Sequence, residues 1–420
     1  MTEIVFARKS EEYERYVEDF ICKFNGNGKK TLLFVCDSAY PLVDGVWNVL
    51  SSCVAELRDN YSDFNVVVMC PDYKGKVYVQ NVPVLAVKSI YLKSLHYQLA
   101  LPQLDFRLKK WLKKLKIDMI HCHSPFLCGL LARKLHRKRN IPMVATFHSQ
   151  FKQDFLKVTK SRALTKFGLH IIMKVFRDSD ETWTMHTASR DTLYSYGYSG
   201  TCRLMPNATR LQPLSNYDEV RNDFRVAHNV QNKVVFLFVG RIIKQKGIFF
   251  IVDVLNILKQ RGLAFKMFFV GDGPDLKKLQ DEVRSCRLDE VEFVGNVECD
   301  AQLAAYYAGA DLLLFPSRYD VSSIVQIEAA TYKTPTVFSE GSVTSCTVSN
   351  NVNGYILPFD VQKYSQGVLD ILNSDTLPQV GENALRDLHV DWSSIVSESV
   401  AVYNSLMEKG GSKNSSENKN

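Results

Sequence analysis

No apolar run in this 420-residue chain approaches the roughly 18 residues that a membrane-spanning helix needs. The strongest runs, Val234 to Val239 and Ile248 to Leu255, are short and interrupted or ended by Gly or Asp. The opening residues, MTEIVFARKSEEYERY, carry charges where a secretion signal needs an apolar stretch, so a cytoplasmic protein is expected. The ten cysteines include no CxxC pair, which removes the spacing of a zinc site or a disulfide framework. Cys36 and Cys70 in strand-like runs and Cys53 in a predicted helix read as buried free thiols. With only 21 Gly and 13 Pro, and with 46% hydrophobic residues, the chain is neither collagen-like nor mainly disordered. At about 150 residues per domain, its length predicts two or three domains.

Acidic residues are scarce in one region. The net charge is +7, but residues 101–174 hold 17 Lys and Arg against Asp105, Asp118 and Asp154, a local charge of +14 that should seek an anionic surface. Within it, QLDFRLKKWLKKLK (Gln103 to Lys116) puts Leu104, Leu108, Trp111, Leu112 and Leu115 on one helical stripe. Packing of that stripe on the protein's own sheet is expected, with the surrounding patch orienting the chain on an anionic membrane. No nucleic-acid recognition motif is present, and none of that class is expected as partner.

Short β-branched runs alternate with amphipathic helical stretches, the pattern of parallel βα units, and the pattern occurs twice. TLLFVC, NVVVMC, DMIHCH, MVATFH and ETWTM form the first series; VVFLFVG, FKMFFVG, VEFVG, DLLLFPS and TPTVFS form the second. The expected fold is α/β, with two doubly wound, Rossmann-like domains facing a cleft. The expected divisions are a helical extension at 1–29, a first domain at 30–205, a linker at 206–230, a second domain at 231–385, a final helix at 386–408 and a disordered tail at 409–420.

Ligands of such sheets bind beyond the carboxyl ends of the strands. There, Gly45 opens a helix and lets backbone amides approach a phosphate, although a plain tight turn has the same look. Arg241 and Lys246 in GRIIKQKG can reach one anion, or be solvated loop charges. Asp320 and Glu328 in RYDVSSIVQIEAA would grip polyol hydroxyls near the exposed amides of a helix beginning at Val321 to Ile324; an N-terminal-turn Asp and a surface Glu are the plainer alternative. His148 ends the strand MVATFH beside His121 and His123, as a sugar-facing donor or a structural histidine.

PSRYDVSSIVQIEAATYKTPTVFSEGS, GRIIKQKG, VGDGP, TFHSQF, MPNAT and YPLVDGV, all present, together resemble the retaining glycosyltransferases of family 4, two-domain GT-B enzymes that use nucleotide-sugar donors. The resemblance spans about residues 30–408. It implies that Arg241 and Lys246 bind the donor diphosphate, with Gly45 opposite, and that Glu328 binds the ribose. Asp320 would contact the transferred sugar with the amides of Ser323 and Ile324, and His148 would serve at the sugar face; Asp320 and His148 are the catalytic candidates. Asn207 falls in the hinge motif, and DWSSIVSESVAVYNSL resembles the helix that crosses back to the first domain. Asp320 replaces the usual Glu, Val321-Ser322-Ser323 replace Gly-Phe-Gly, and Ala208 replaces Gly, departures that bear on the donor sugar.

The implied activity is transfer of a hexosyl group, with retention, from a nucleotide sugar to a lipid-linked or polysaccharide acceptor, peripheral to the inner face of a membrane. The alternatives are a catalytically silent nucleotide-sugar-binding subunit and a UDP-sugar 2-epimerase. No cofactor or metal is expected, because Arg241 and Lys246 would neutralise the leaving group and the one DxD, Asp178 to Asp180, precedes a strand as a polar cap.

Overall fold

The computed structural model describes residues 3–41, 44–80, 82–92, 97–148, 150–318, 320 and 322–417. It divides into two compact units, Met1–Asn207 with Trp392–Asn420, and Ala208–Asp391.

Unit 1 contains, in chain order, β1 (Glu3–Ala7), α1 (Glu11–Gly26), β2 (Lys30–Val35), α2 (Gly45–Asn60), β3 (Phe64–Pro71), β4 (Lys76–Gln80), β5 (Val84–Val87), β6 (Ser89–Leu92), β7 (Tyr97–Ala100), α3 (Phe106–Lys114), β8 (Met119–Cys122), α4 (Leu127–Arg139), β9 (Met143–Phe147), α5 (Phe151–Thr159), α6 (Arg162–Asp178), β10 (Glu181–Thr184), α7 (Thr187–Ser195) and β11 (Cys202–Leu204). Seven strands form a parallel sheet in the order β11-β10-β9-β8-β2-β3-β5. Strands such as LLFV (32–35) and VVVM (66–69) are buried along their whole length, because helices on both faces leave no side of the strand for water. The order reverses between β2 and β8, which makes their carboxyl ends the crevice of this sheet.

In unit 2, α8 (Tyr217–Ala227), β12 (Val234–Val239), α9 (Ile248–Gln260), β13 (Phe265–Val270), α10 (Leu276–Ser285), β14 (Val291–Gly295), α11 (Asp300–Gly309), β15 (Leu312–Phe315), α12 (Ile324–Thr331), β16 (Thr336–Ser339), β17 (Tyr355–Leu357), α13 (Val361–Leu372) and α14 (Leu377–Leu388) follow. The parallel order β14-β13-β12-β15-β16-β17 reverses between β12 and β15. Two cores flank the sheet, one around Phe236, Phe238, Ile251, Leu255 and Phe338, the other around Leu237, Phe268, Tyr307 and Ala329. The last helix, α15 (Trp392–Glu417), belongs to unit 1. Its Tyr403 is fully buried and stacks on Trp183 with centroids 5.8 Å apart.

Several expected boundaries move. The span 206–230, read as a linker, contains α8, held to unit 2 by buried Phe224 and by Arg221 and Arg225 on Asp311. Its polar face had suggested a connection, but those arginines bind Asp311 and the carbonyls of Ala308, Gly309 and Ala310. The second unit runs to Asp391, beyond 385, and the final helix starts at Trp392 rather than 386. The span 409–417, expected to be disordered, continues α15 as helical backbone. Within 1–29, β1 stands outside the main sheet, pairing antiparallel with β4, and α1 buries Tyr13, Val17, Phe20 and Ile21. Cys36, Cys53 and Cys70 are buried free thiols, whereas Cys22, Cys299 and Cys346 are exposed.

The helix read from Gln103 to Lys116 is shorter. Leu108, Trp111, Leu112 and Leu115 are buried, but Leu104 is 58% exposed because it lies in a separate 3-10 turn, Pro102–Leu104. Lys114 lies 2.9 Å and Lys110 3.4 Å from Glu18 of α1, and Arg107 and Lys110 each lie 3.7 Å from Glu14. Acids from outside the basic segment therefore pair with three of the five cations of α3.

Candidate functional site

In unit 2 the site residues gather where the sheet order reverses. β12 runs into Gly240 and Arg241, and a short 3-10 turn, Lys244–Lys246, leads to Gly247, which caps α9 at φ 76°. A Cβ on Gly247 would meet Pro316 at 2.9 Å, so glycine lets the start of α9 pack on the loop after β15. The loop after β13 packs as tightly: Ile242 N–H donates to Asp272 O at 2.9 Å, and a Cβ on Gly271 would lie 2.1 Å from Gly240 O.

That packing brings Lys246 to Asp320, although 74 residues separate them in sequence. Lys246 Nζ donates to Asp320 Oδ1 at 3.0 Å and lies 5.2 Å from the centroid of Phe315. Ser317 donates its Oγ–H to Asp320 Oδ2 at 2.5 Å, fixing the carboxylate from the other side. Arg241, on the same loop, is exposed and forms no ion pair or side-chain hydrogen bond with any described residue. The positive group that is free and the one that is held thus lie on one loop.

α12 begins at Ile324, later than expected, because Ser323 is extended (φ −106°, ψ 105°) and serves as N-cap; Val321 lies outside the described residues. No side chain caps this helix, and the buried Ser323 Oγ has no hydrogen-bond partner. The first amides of α12 and that hydroxyl form a small polar cradle suited to hydroxyl or phosphate oxygens. Glu328 stands just over one turn inside α12. Tyr307 of α11 donates its hydroxyl to Glu328 Oε2 at 2.7 Å. Burial raises the Glu328 carboxyl above the usual range, while Tyr307 and nearby Arg210 oppose the rise.

In unit 1, Gly45 is the first residue of α2, whose N-cap Asp44 accepts from Trp47 N–H at 2.8 Å. A Cβ on Gly45 would meet nothing within 4 Å and its φ is not positive, so neither packing nor backbone conformation requires glycine there. His148 follows β9 directly. Its Nε2 lies 3.0 Å from Nδ1 of His123, the residue after β8, with the rings stacked at 14°. His121 contacts Thr146 Oγ1 at 2.7 Å through Nε2 and the Tyr403 hydroxyl at 2.6 Å through Nδ1. Burial disfavours the imidazolium and drives His148 to about 4 and His121 to about 3; His123 moves the same way. At neutral pH His148 is thus a neutral donor or acceptor rather than a cation.

Sequence reasoning missed Ser317, Tyr307 and Asp37. Asp37, two residues beyond β2, accepts from Cys128 N–H at 2.9 Å at the start of α4, and burial pushes its carboxyl up to about 6. Only the position of Asp37 after a strand was a signal; Ser317 and Tyr307 act through residues that were identified. The DxD residues are occupied within unit 1: Asp178 binds Arg133 and Arg137, and Asp180 accepts from Met143 N–H. Among the described residues, no group of three or more His, Cys, Asp or Glu is placed to hold a metal ion, and no helix is long and apolar enough to cross a membrane.

Two parallel, doubly wound units with these loops define a GT-B glycosyltransferase architecture. The chain belongs to that class: residues 43–212 match the model of Glycosyltransferase Family 4, and residues 220–387 match that of Glycosyl transferases group 1. It is similar to the alpha-monoglucosyldiacylglycerol synthase of Acholeplasma laidlawii, 26% identical over 259 residues, covering 58% of this chain and 64% of that one. The chain thus spans somewhat less than two thirds of that synthase. Among solved structures, the sucrose-phosphate synthase of Thermosynechococcus elongatus superposes with a TM-score of 0.76 at 19% identity, over 91% of this chain and all of that one. Anabaena Alr3699/HepE, in complex with UDP and glucose, gives 0.69 at 17% identity, over 89% and 99%.

Proposed function

We propose that the chain is a retaining hexosyltransferase that takes a hexosyl group from a nucleotide sugar and delivers it to a lipid-linked or polysaccharide acceptor. The observation that carries this reading is the set at the crevice of unit 2: free Arg241, Lys246 on Asp320, and the uncapped start of α12 with its orphan Ser323 hydroxyl. Arg241 and Lys246 neutralise the departing diphosphate, which asks no metal of the protein. Asp320 and the amides of Ser323 and Ile324 hold hydroxyls of the transferred sugar, and Glu328, steadied by Tyr307, accepts from the ribose. On unit 1, neutral His148 is suited to donate to a sugar hydroxyl, and the α2 amides that begin at Gly45 are suited to approach a phosphate.

Bond making and breaking occur on one face of the sugar, and the leaving phosphate oxygen takes the acceptor proton, so no separate general base is required. The Asp in place of Glu belongs to a subgroup with small polar residues after it and leaves the chemistry intact. The glycolipid product of the Acholeplasma relative and the UDP complex of the Anabaena protein support the choice of acceptor class and donor class. The basic part of unit 1 supports a position at the cytoplasmic face of an anionic membrane.

The test is product analysis with UDP- and GDP-sugars and a lipid acceptor extract, reading anomeric configuration by NMR. Arg241→Ala and Glu328→Ala should each lower kcat/KM by about tenfold or more, equal to about 1.4 kcal/mol of transition-state stabilisation, while leaving the fold intact. Unchanged activity in both variants defeats the reading. Turnover of the sugar without any acceptor points instead to the epimerase.

A further inference from the structure

We propose that the α5–α6 hairpin, rather than α3, is the surface with which this protein docks on an anionic lipid bilayer. Among the described residues, fourteen large hydrophobics stand exposed, and four of them lie within residues 156–167: Leu156 at 42%, Val158 at 54%, Leu164 at 57% and Phe167 at 64%. The two helices need none of these to hold together. Their inner faces bury Phe151, Thr165, Ile172, Met173, Val175 and Phe176, and Phe155 packs against Gly168, where a Cβ would sit 2.8 Å from its ring. Leu164 and Phe167 are three residues apart on α6 and therefore share its outer face.

Cations predominate around this apolar patch, where the sequence of α5 carries one acid, Asp154. Lys152, Lys160, Arg162 and Lys166 are exposed, Lys174 is half-buried, and none forms an ion pair with a described acid. On α3, by contrast, three of the five cations, Arg107, Lys110 and Lys114, already face Glu14 and Glu18, and Lys109 donates to the Gln103 carbonyl. Apolar side chains ringed by free cations are what a bilayer interface selects, since the chains enter the headgroup boundary while each cation meets an anionic lipid. A nucleic acid or an acidic protein would match the cations, but neither accounts for four exposed apolar side chains spread over two helices. The hairpin starts three residues after His148, so docking through it brings the carboxyl end of β9 to the interface. That this serves a lipid-linked acceptor rests on the proposed transferase reading; the docking itself does not.

The test is flotation of the full chain with vesicles of phosphatidylcholine containing 30 mol% phosphatidylglycerol, compared with pure phosphatidylcholine and with heparin. Binding is expected to the anionic vesicles alone and to weaken with salt. Leu164→Ser/Phe167→Ser should reduce partitioning at least tenfold, and Lys160→Gln/Lys166→Gln about tenfold or more, as each cation contributes roughly fivefold. Lys277→Gln/Lys278→Gln on α10 removes the same charge elsewhere and should change nothing. All these residues are exposed, and near-UV circular dichroism verifies that each variant is folded. Failure of the parent chain to float, equal flotation of the α6 variants, an equal loss in the α10 variant, or binding to heparin but not vesicles each overturns the proposal. Release of hexose from a soluble nucleotide sugar, followed in the same variants, should stay unchanged; its absence in the parent chain would count against the transferase reading and leave the docking result standing.

Discussion

The contact between Lys246 and Asp320 predicts opposite effects on ligand binding from its two halves. Both side chains are about one-sixth exposed, at 16% and 17%. An exposed ion pair contributes less than about 1 kcal/mol, whereas stripping one partner from a fully buried pair costs about 3–5 kcal/mol. The partial burial places this pair between those limits, at about 2 kcal/mol. Lys246→Met leaves Asp320 with only the Ser317 hydroxyl and should lower the melting temperature of unit 2 by roughly 4–8 °C. Asp320→Asn keeps that hydroxyl bond through its amide oxygen and destabilises by the same order or less.

Binding of a diphosphate separates the two variants. In the parent protein Lys246 must leave a carboxylate to reach phosphate oxygens; in Asp320→Asn it is already free. Isothermal titration with UDP should therefore show a Kd about tenfold lower in Asp320→Asn, a gain of about 1.4 kcal/mol, and about tenfold or more higher in Lys246→Met. Transfer activity should fall in both. UDP binding that is no tighter in Asp320→Asn, or undiminished in Lys246→Met, refutes the reasoning that the pair holds the phosphate-binding cation in reserve.

Gly45→Ala is expected to preserve or raise stability by up to about 1 kcal/mol, because alanine is the better helix former and its Cβ meets nothing. Its UDP affinity should drop if the α2 amides approach the diphosphate, and an unchanged Kd with a raised melting temperature would assign the glycine no ligand role. Acidification should weaken unit 1. His148 at about 4 and His121 at about 3 stay neutral in the fold but regain 6.5 on unfolding, so the unfolded chain binds more protons and stability is lost as pH falls from about 6.5 toward 4. Asp37, raised to about 6, acts in the opposite sense over about pH 6 to 4, and Asp72, also raised by burial, acts with it, as two carboxyls against three histidines. Melting temperatures at pH 8, 6.5 and 5 should decline in that order, and a flat or rising series defeats the assignment of three buried neutral histidines.

What could be read from the sequence followed from local physics. Doubly covered strands must be apolar along their length, so VVFLFV and FKMFFV announced β12 and β13 almost to the residue. Strands that pair outside the two main sheets, such as β1 with β4 and β6 with β7, alternate in exposure or are too short to stand out, and they were not anticipated. The start of α12 was misplaced because its N-cap, Ser323, bonds no amide of its own helix, which removes the usual signature of a capped start. Individual site residues were legible from strand ends and from family motifs. Their partners were not, since Tyr307 reaches Glu328 only once α11 and α12 pack together, and His123 reaches His148 only once β8 and β9 pair.

The basic region shows why a count along the chain misleads about a surface. Residues 101–174 carry +14 as a segment, yet α3 and α6 within it are electrostatically different. The cations of α3 face acids nearly a hundred positions away in α1, brought there because Tyr13 of α1 packs edge-on against Trp111 at 5.6 Å. Burial of one aromatic pair thus decides that the neighbouring lysines are neutralised. Among the described residues no acid pairs with Arg162 or Lys166 of α6, and these cations remain beside Leu164 and Phe167. A sequence records how many charges a segment has, whereas the charge available to a partner is what tertiary packing leaves unpaired, and on α5 and α6 that remainder stands beside exposed apolar side chains.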